Sequence, residues 1–145
     1  MISALVGAPR CAQPSGTVGA SAASVGSVHV RSRADAEPFT TKDGSTIRVL
    51  LDAEAGGARN QSLAEASLGE DCETERHYHA LTEELYVVLD GRGEMEVDGA
   101  RRDVGPGDAI LIPPGARHQI RAVGGPIRFL CCCAPPYSHE DTYFD

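Results

Sequence analysis

The chain of 145 residues has 13 basic and 21 acidic residues, a formal net charge of −8, and 41% hydrophobic but only 5% aromatic residues. That length suits one domain with a core of aliphatic side chains. The acidic balance, with Lys42 as the one lysine, argues against a nucleic-acid partner and against a polybasic membrane anchor.

Residues 1–34 contain no Asp or Glu, and their basic residues are Arg10, Arg31 and Arg33. Their small side chains bury too little to fold alone. This head reads either as a disordered N-terminal extension or as an organelle-targeting segment. Residues 35–136 form the expected folded domain, and 137–145 a C-terminal tail. From about Val28 onwards short strands alternate with turns. Ile47–Leu51 and Ser62–Leu68 are the first two runs, and Leu85–Leu89 has the strongest β character. Met95–Val97 ends in Asp98-Gly99, a hairpin turn. Ala109–Ile112, His118–Val123 and Ile127–Cys133 follow, divided by Gly- and Pro-bearing turns. With no long helical period, the pattern predicts an all-β sandwich or closed barrel. No apolar run is long enough to span a bilayer as a helix.

Five cysteines, an odd number with Cys131, Cys132 and Cys133 consecutive, do not form a secreted disulfide framework. They point to a reducing, cytoplasmic compartment. Adjacent cysteines on a strand face opposite ways, so core packing is the favoured role for this run.

His77 and His79 stand two apart, so on a strand both imidazoles project from one face. Residues 80–83 can turn and return Glu84 on the neighbouring strand, where Glu84, Tyr86 and Val88 share a face. Glu83 is the alternative if the turn is one residue shorter. His118 follows a Pro-Gly turn. Three imidazoles and a carboxylate can hold one divalent ion (Fe, Mn, Ni, Co, Zn or Cu) and leave roughly two positions open on a six-coordinate metal.

In these spacings the chain resembles the cupin superfamily, in its small, single-domain, metal-binding (cupin 2 conserved-barrel) form. His77, His79, Glu84 and Gly91 match the family's first motif, and Gly107, Pro113, Gly115 and His118 match the second. Asp71 stands where the first motif begins with Gly, and Ala122 where the second ends in Asn. The resemblance covers roughly residues 45–135. It implies a jelly-roll β-barrel with the metal inside on His77, His79, Glu84 and His118, and a homodimer formed through edge strands.

Tyr86, inward beside Glu84, is the candidate catalytic proton or hydrogen-bond donor, or else a barrel-filling side chain. Arg48, Gln61 and Glu65 are further polar candidates whose facing depends on register. The ending Pro135–Asp141 resembles that of a group of bacterial single-domain cupins. Tyr137 and His139 either fold over the barrel mouth or belong to a solvated tail, and removing residues 136–145 is expected to leave metal content intact. The functional expectation is a metal-dependent enzyme acting on a small polar molecule by dioxygenase, isomerase or lyase chemistry. The alternatives are a non-catalytic small-molecule-binding or sensor module acting through a protein partner, and a structural barrel that takes up metal adventitiously.

Overall fold

A computed structural model describes residues 28–145. Most of the expected head, residues 1–27, lies outside the described residues. Along the chain run β1 (Phe39–Thr40), β2 (Thr46–Leu51), β3 (Ser62–Leu68), β4 (His77–His79), β5 (Glu83–Asp90) and β6 (Gly93–Val97). Then come β7 (Ala100–Val104), β8 (Ala109–Ile112), β9 (His118–Ala122), β10 (Ile127–Ala134) and β11 (Thr142–Phe144). Two antiparallel sheets result, one ordered β1-β2-β3-β10-β5-β8 and the other β11-β4-β9-β6-β7. They face each other as the two walls of a jelly-roll β-barrel.

Alternation sets which side chains fill it. On β5, Glu84, Tyr86 and Val88 are buried, while Leu85 and Leu89 on the other face are exposed. Phe129, Ile127, Ile112, Ile120, Val88 and Met95 form the centre of the core. Burying each such side chain stabilises the fold by about 1.5–3 kcal/mol. The Asp98-Gly99 hairpin joins β6 to β7, with both residues at positive φ, as a two-residue turn of this kind requires. Strand β7 escapes the sequence reading because its first four residues are all exposed, so no apolar alternation marks it.

The two departures from the motifs are mild. Asp71 adopts φ +58°, the left-handed conformation that Gly takes most readily and that Asp tolerates. Ala122 is fully buried, and its amide donates to the Cys72 carbonyl. The matching Gly91 is constrained twice: its φ is +81°, and a Cβ there would strike the Pro126 carbonyl. Gly91→Ala should therefore cost about 3 kcal/mol or more, read as a lowered denaturation midpoint with unchanged slope.

Residues just before β1 pack on the outside of the barrel. Ser32 caps a short 3-10 turn at Arg33–Asp35, and Arg33 forms an ion pair with buried Glu65, which also binds Arg128. Glu65 is thus held by two guanidiniums. Arg48 donates to the Ala36 carbonyl, and Gln61 is exposed.

Candidate metal centre

Strand β4 is three residues long, and its alternation buries His77 and His79 at 3% exposure each. Tyr78 between them points the other way and stacks on Tyr143, with the Arg117 guanidinium over its ring. Antiparallel pairing places His118, the first residue of β9, directly opposite His77. Glu84 enters from the facing sheet as the first inward residue of β5, while Glu83 is exposed. One donor atom from each of His77, His79, Glu84 and His118 lies within 4.8 Å of the others. Glu84 Oε2 is 3.3 Å from Nε2 of both His79 and His118.

The donor set fits a divalent ion, and the fit lies in how the imidazoles are held. His77 Nδ1 meets the Glu75 carbonyl at 2.7 Å, and His118 Nδ1 the Ala116 carbonyl at 3.1 Å. His79 Nδ1 lies 3.3 Å from the Asp141 carbonyl and from Thr142 Oγ1. A carbonyl can only accept, so each Nδ1 carries the proton and each neutral ring turns an Nε2 lone pair inward. Backbone-oriented imidazoles of this kind are how proteins fix metal-binding tautomers. Glu84 Oε2 and His118 Nε2 are fully buried without a well-formed hydrogen bond, an arrangement that is costly unless something else satisfies them.

The electrostatics favour one carboxylate among neutral rings. Burial pushes the Glu84 carboxyl up, but His118 and His79 beside it more than offset this and hold it down to about 2. Burial, then the neighbouring His118, keep His77 below the ordinary imidazole range. For His79, burial pulls downward but the Glu84 carboxylate outweighs it, so its affinity for a proton is raised. An incoming cation therefore competes with a proton for His79, and metal affinity should fall as pH drops. Calorimetry at successively lower pH, in buffers of different ionisation enthalpy, should show increasing proton release on metal binding. Binding with no proton release would contradict this assignment.

Further groups complete the surroundings, and of these Cys133 and Asp141 are not foreseen from sequence as contacts of the candidate ligands. Cys133 on β10 lies opposite Glu84 in register, and its thiol donates to Glu84 Oε1 at 3.3 Å. Burial, then the Glu84 charge, push this thiol up, so it stays a donor. With Oε1 so engaged, Oε2 is the oxygen turned towards the histidines. Cys131 is also buried on this inner face, and Cys132 points away from it. Core packing describes Cys131, whereas Cys133 touches a candidate ligand. The C-terminal residues close one side: Asp141 accepts from the amides of Ala80, Leu81 and Thr82. β11 pairs with β4. The Tyr137 ring stands edge-on to His79, and its hydroxyl pairs with His139.

His77, His79 and Glu84 open on a cavity of about 100 Å³, space for roughly three waters. Tyr86 lines it with its ring packed on Phe129, 4.6 Å between centroids. Burial, then the Glu84 charge, raise the Tyr86 hydroxyl well above its usual value. It is therefore a neutral hydrogen-bond donor and not a base.

Comparison with known proteins agrees with this architecture. The cupin domain family matches residues 65–133, a span holding all four candidate donors and Cys133. An uncharacterised protein of Methanocaldococcus jannaschii is 47% identical over 107 residues, 73% of this chain and 86% of the relative. Oxalate decarboxylase from Bacillus subtilis superposes with a TM-score of 0.69 at 23% identity, over 82% of this chain and 33% of its own. KdgF from Halomonas sp. gives 0.68 at 15% identity, over 79% of this chain and 98% of its own. At such identities the two structures speak to the fold alone.

Proposed function

This chain belongs to the cupin family, and on that premise we propose that it is a metal-dependent enzyme acting on a small molecule held in the barrel. The observation that carries the proposal is the convergence of three backbone-oriented imidazoles and the buried Glu84 carboxylate, with His77, His79 and Glu84 lining a cavity. His77, His79, Glu84 and His118 would hold the ion, which when bound supplies Lewis acidity and open positions for a ligand. The chain's other residues shape what happens there. Cys133 holds Glu84 in place, the apolar barrel wall excludes water, and Tyr86 donates a hydrogen bond or proton to the bound molecule.

The reaction type belongs to the dioxygenase, isomerase or lyase group, and elemental analysis followed by an oxygen-uptake screen separates them. Iron with oxygen consumption supports a dioxygenase. Manganese or zinc without it supports isomerase or lyase chemistry. Tight ligand binding without turnover would instead favour a sensor module. On an identified substrate, Tyr86→Phe should lower kcat by about 100-fold with KM little changed. Full turnover in both His77→Ala and His118→Ala would contradict the enzyme reading.

Two further expectations belong to the same proposal. The unpaired cysteines among the described residues support a reducing, cytoplasmic setting, and no helix there is long and apolar enough to cross a membrane. Leu85 and Leu111 face each other in register on the outside of β5 and β8, and both are exposed. This apolar edge is the proposed contact of a homodimer, to be checked by light scattering.

A further inference from the structure

Among the described residues, the cavity beside the candidate ligands is lined without one arginine or lysine. Three carboxylates line it: Glu84 among the histidines, and Asp43 and Asp52 besides. Asp43 is fixed in position. Its Oδ1 accepts from the Thr41 hydroxyl, the Ser45 amide and the Ser45 hydroxyl. Asp52 is likewise tied down by the amides of Glu54 and Ala55.

Among the described residues, several cations are engaged elsewhere. Arg48, the sequence candidate for an inward cation, is spent on the Ala36 carbonyl. Arg33 and Arg128 pair with Glu65, and Arg76 and Arg117 with Asp145. Lys42, next to Asp43 in the chain, is exposed. A divalent ion with three neutral imidazoles and these three carboxylates carries no net positive charge. The rest of the lining is largely apolar, including Ile47, Val49, Ala64, Ala66 and Phe129.

We propose that this cavity selects a small, non-acidic molecule, one that carries no anionic group beyond the atoms that chelate the ion, with Asp43 as the specificity-determining residue. This rests on the metal reading above and adds the chemical class of the ligand. A carboxylate or phosphate on the body of the ligand would meet Asp43 or Asp52 across a cavity of about 100 Å³, where like charges lie close and repel. An apolar body would instead lie along Ile47, Val49 and Ala66. The volume restricts the ligand further, being well under the roughly 300–1,000 Å³ of pockets for drug-sized molecules.

The test uses the full chain loaded with Co(II) and followed by its visible absorption. Two probes share one chelating head and differ only in the far end: butyrohydroxamic acid ends in a methyl, succinic monohydroxamic acid in a carboxylate. The methyl-ended probe should bind tighter by about tenfold or more. Asp43→Asn, which keeps the Oδ1 acceptor for Thr41 and Ser45, should narrow that gap by improving the carboxylate-ended probe. Equal or tighter binding of the carboxylate-ended probe to the wild-type chain would overturn the proposal, and needs no variant to fold. Absence of any Co(II) absorption band would instead remove the metal reading itself, so the two failures are told apart.

Discussion

His118→Ala should weaken binding of a divalent ion by about 100-fold or more, beyond the 10–100-fold that orienting groups command. His118 is 1% exposed, faces His77 across the β4–β9 pair, and has its Nδ1 committed to the Ala116 carbonyl. His77 and His79 are already turned to the same point and Glu83 lies outside, so neither they nor Glu83 can replace its Nε2. The effect should appear in stability as well. A ligand at a thousandfold excess over its dissociation constant stabilises the native state by about 4 kcal/mol. The wild-type chain should therefore melt higher when metal is added, and His118→Ala should lose most of that gain. His139→Ala is the control, since His139 is exposed and its Nδ1 faces Tyr137. Competition with a chromophoric chelator gives the affinities, and equal values for wild type and His118→Ala would contradict the assignment.

Removing residues 136–145 should lower stability by about 3–5 kcal/mol and metal affinity by about 10–100-fold. From sequence the expectation is the reverse, that metal content survives this deletion. The difference comes from the far end of the chain. β11 adds a strand beside β4, and the Asp141 carbonyl orients His79 while its carboxylate binds the turn that separates His79 from Glu84. The deletion frees both ligands at once. Asp141→Ala divides the two effects, because it removes the carboxylate and keeps the carbonyl. It should cost about 2 kcal/mol with a smaller loss of metal affinity than the deletion. Burial pushes the Asp141 carboxyl up, but the Leu81 and Thr82 amides hold it below its ordinary value. Its contribution is therefore present above the ordinary carboxylate range and lost as pH falls through the depressed value, so the variant and wild type should converge in strong acid. A deletion variant with unchanged metal affinity would show the C-terminal segment to be mere cover.

The parts legible in sequence are those set by covalent spacing. His77 and His79 share a face because a strand alternates, and the same alternation selects Glu84 over Glu83 once Tyr86 and Val88 are taken as inward. The parts not legible depend on register between distant strands. Cys133 reaches Glu84 only because β10 pairs with β5 across 49 residues of chain. Asp141 reaches His79 across 62. Asp43 is a turn residue whose facing cannot be read from alternation. Glu65 illustrates the converse: a polar residue in an apolar strand is a pocket candidate from sequence, yet it is buried against Arg33 and Arg128. Its role became visible only when Arg33, at the end of the acid-free head, was found packed on the barrel.

The central claim is that His77, His79, Glu84 and His118 hold one ion between them. Anomalous scattering from crystals of the full chain grown with Mn(II), recorded on both sides of the metal's absorption edge, tests it most directly. One strong peak is expected inside the barrel, about 2.0–2.3 Å from Nε2 of the three histidines and from Glu84 Oε2. A barrel interior without a peak, or a peak held by other residues, would contradict it.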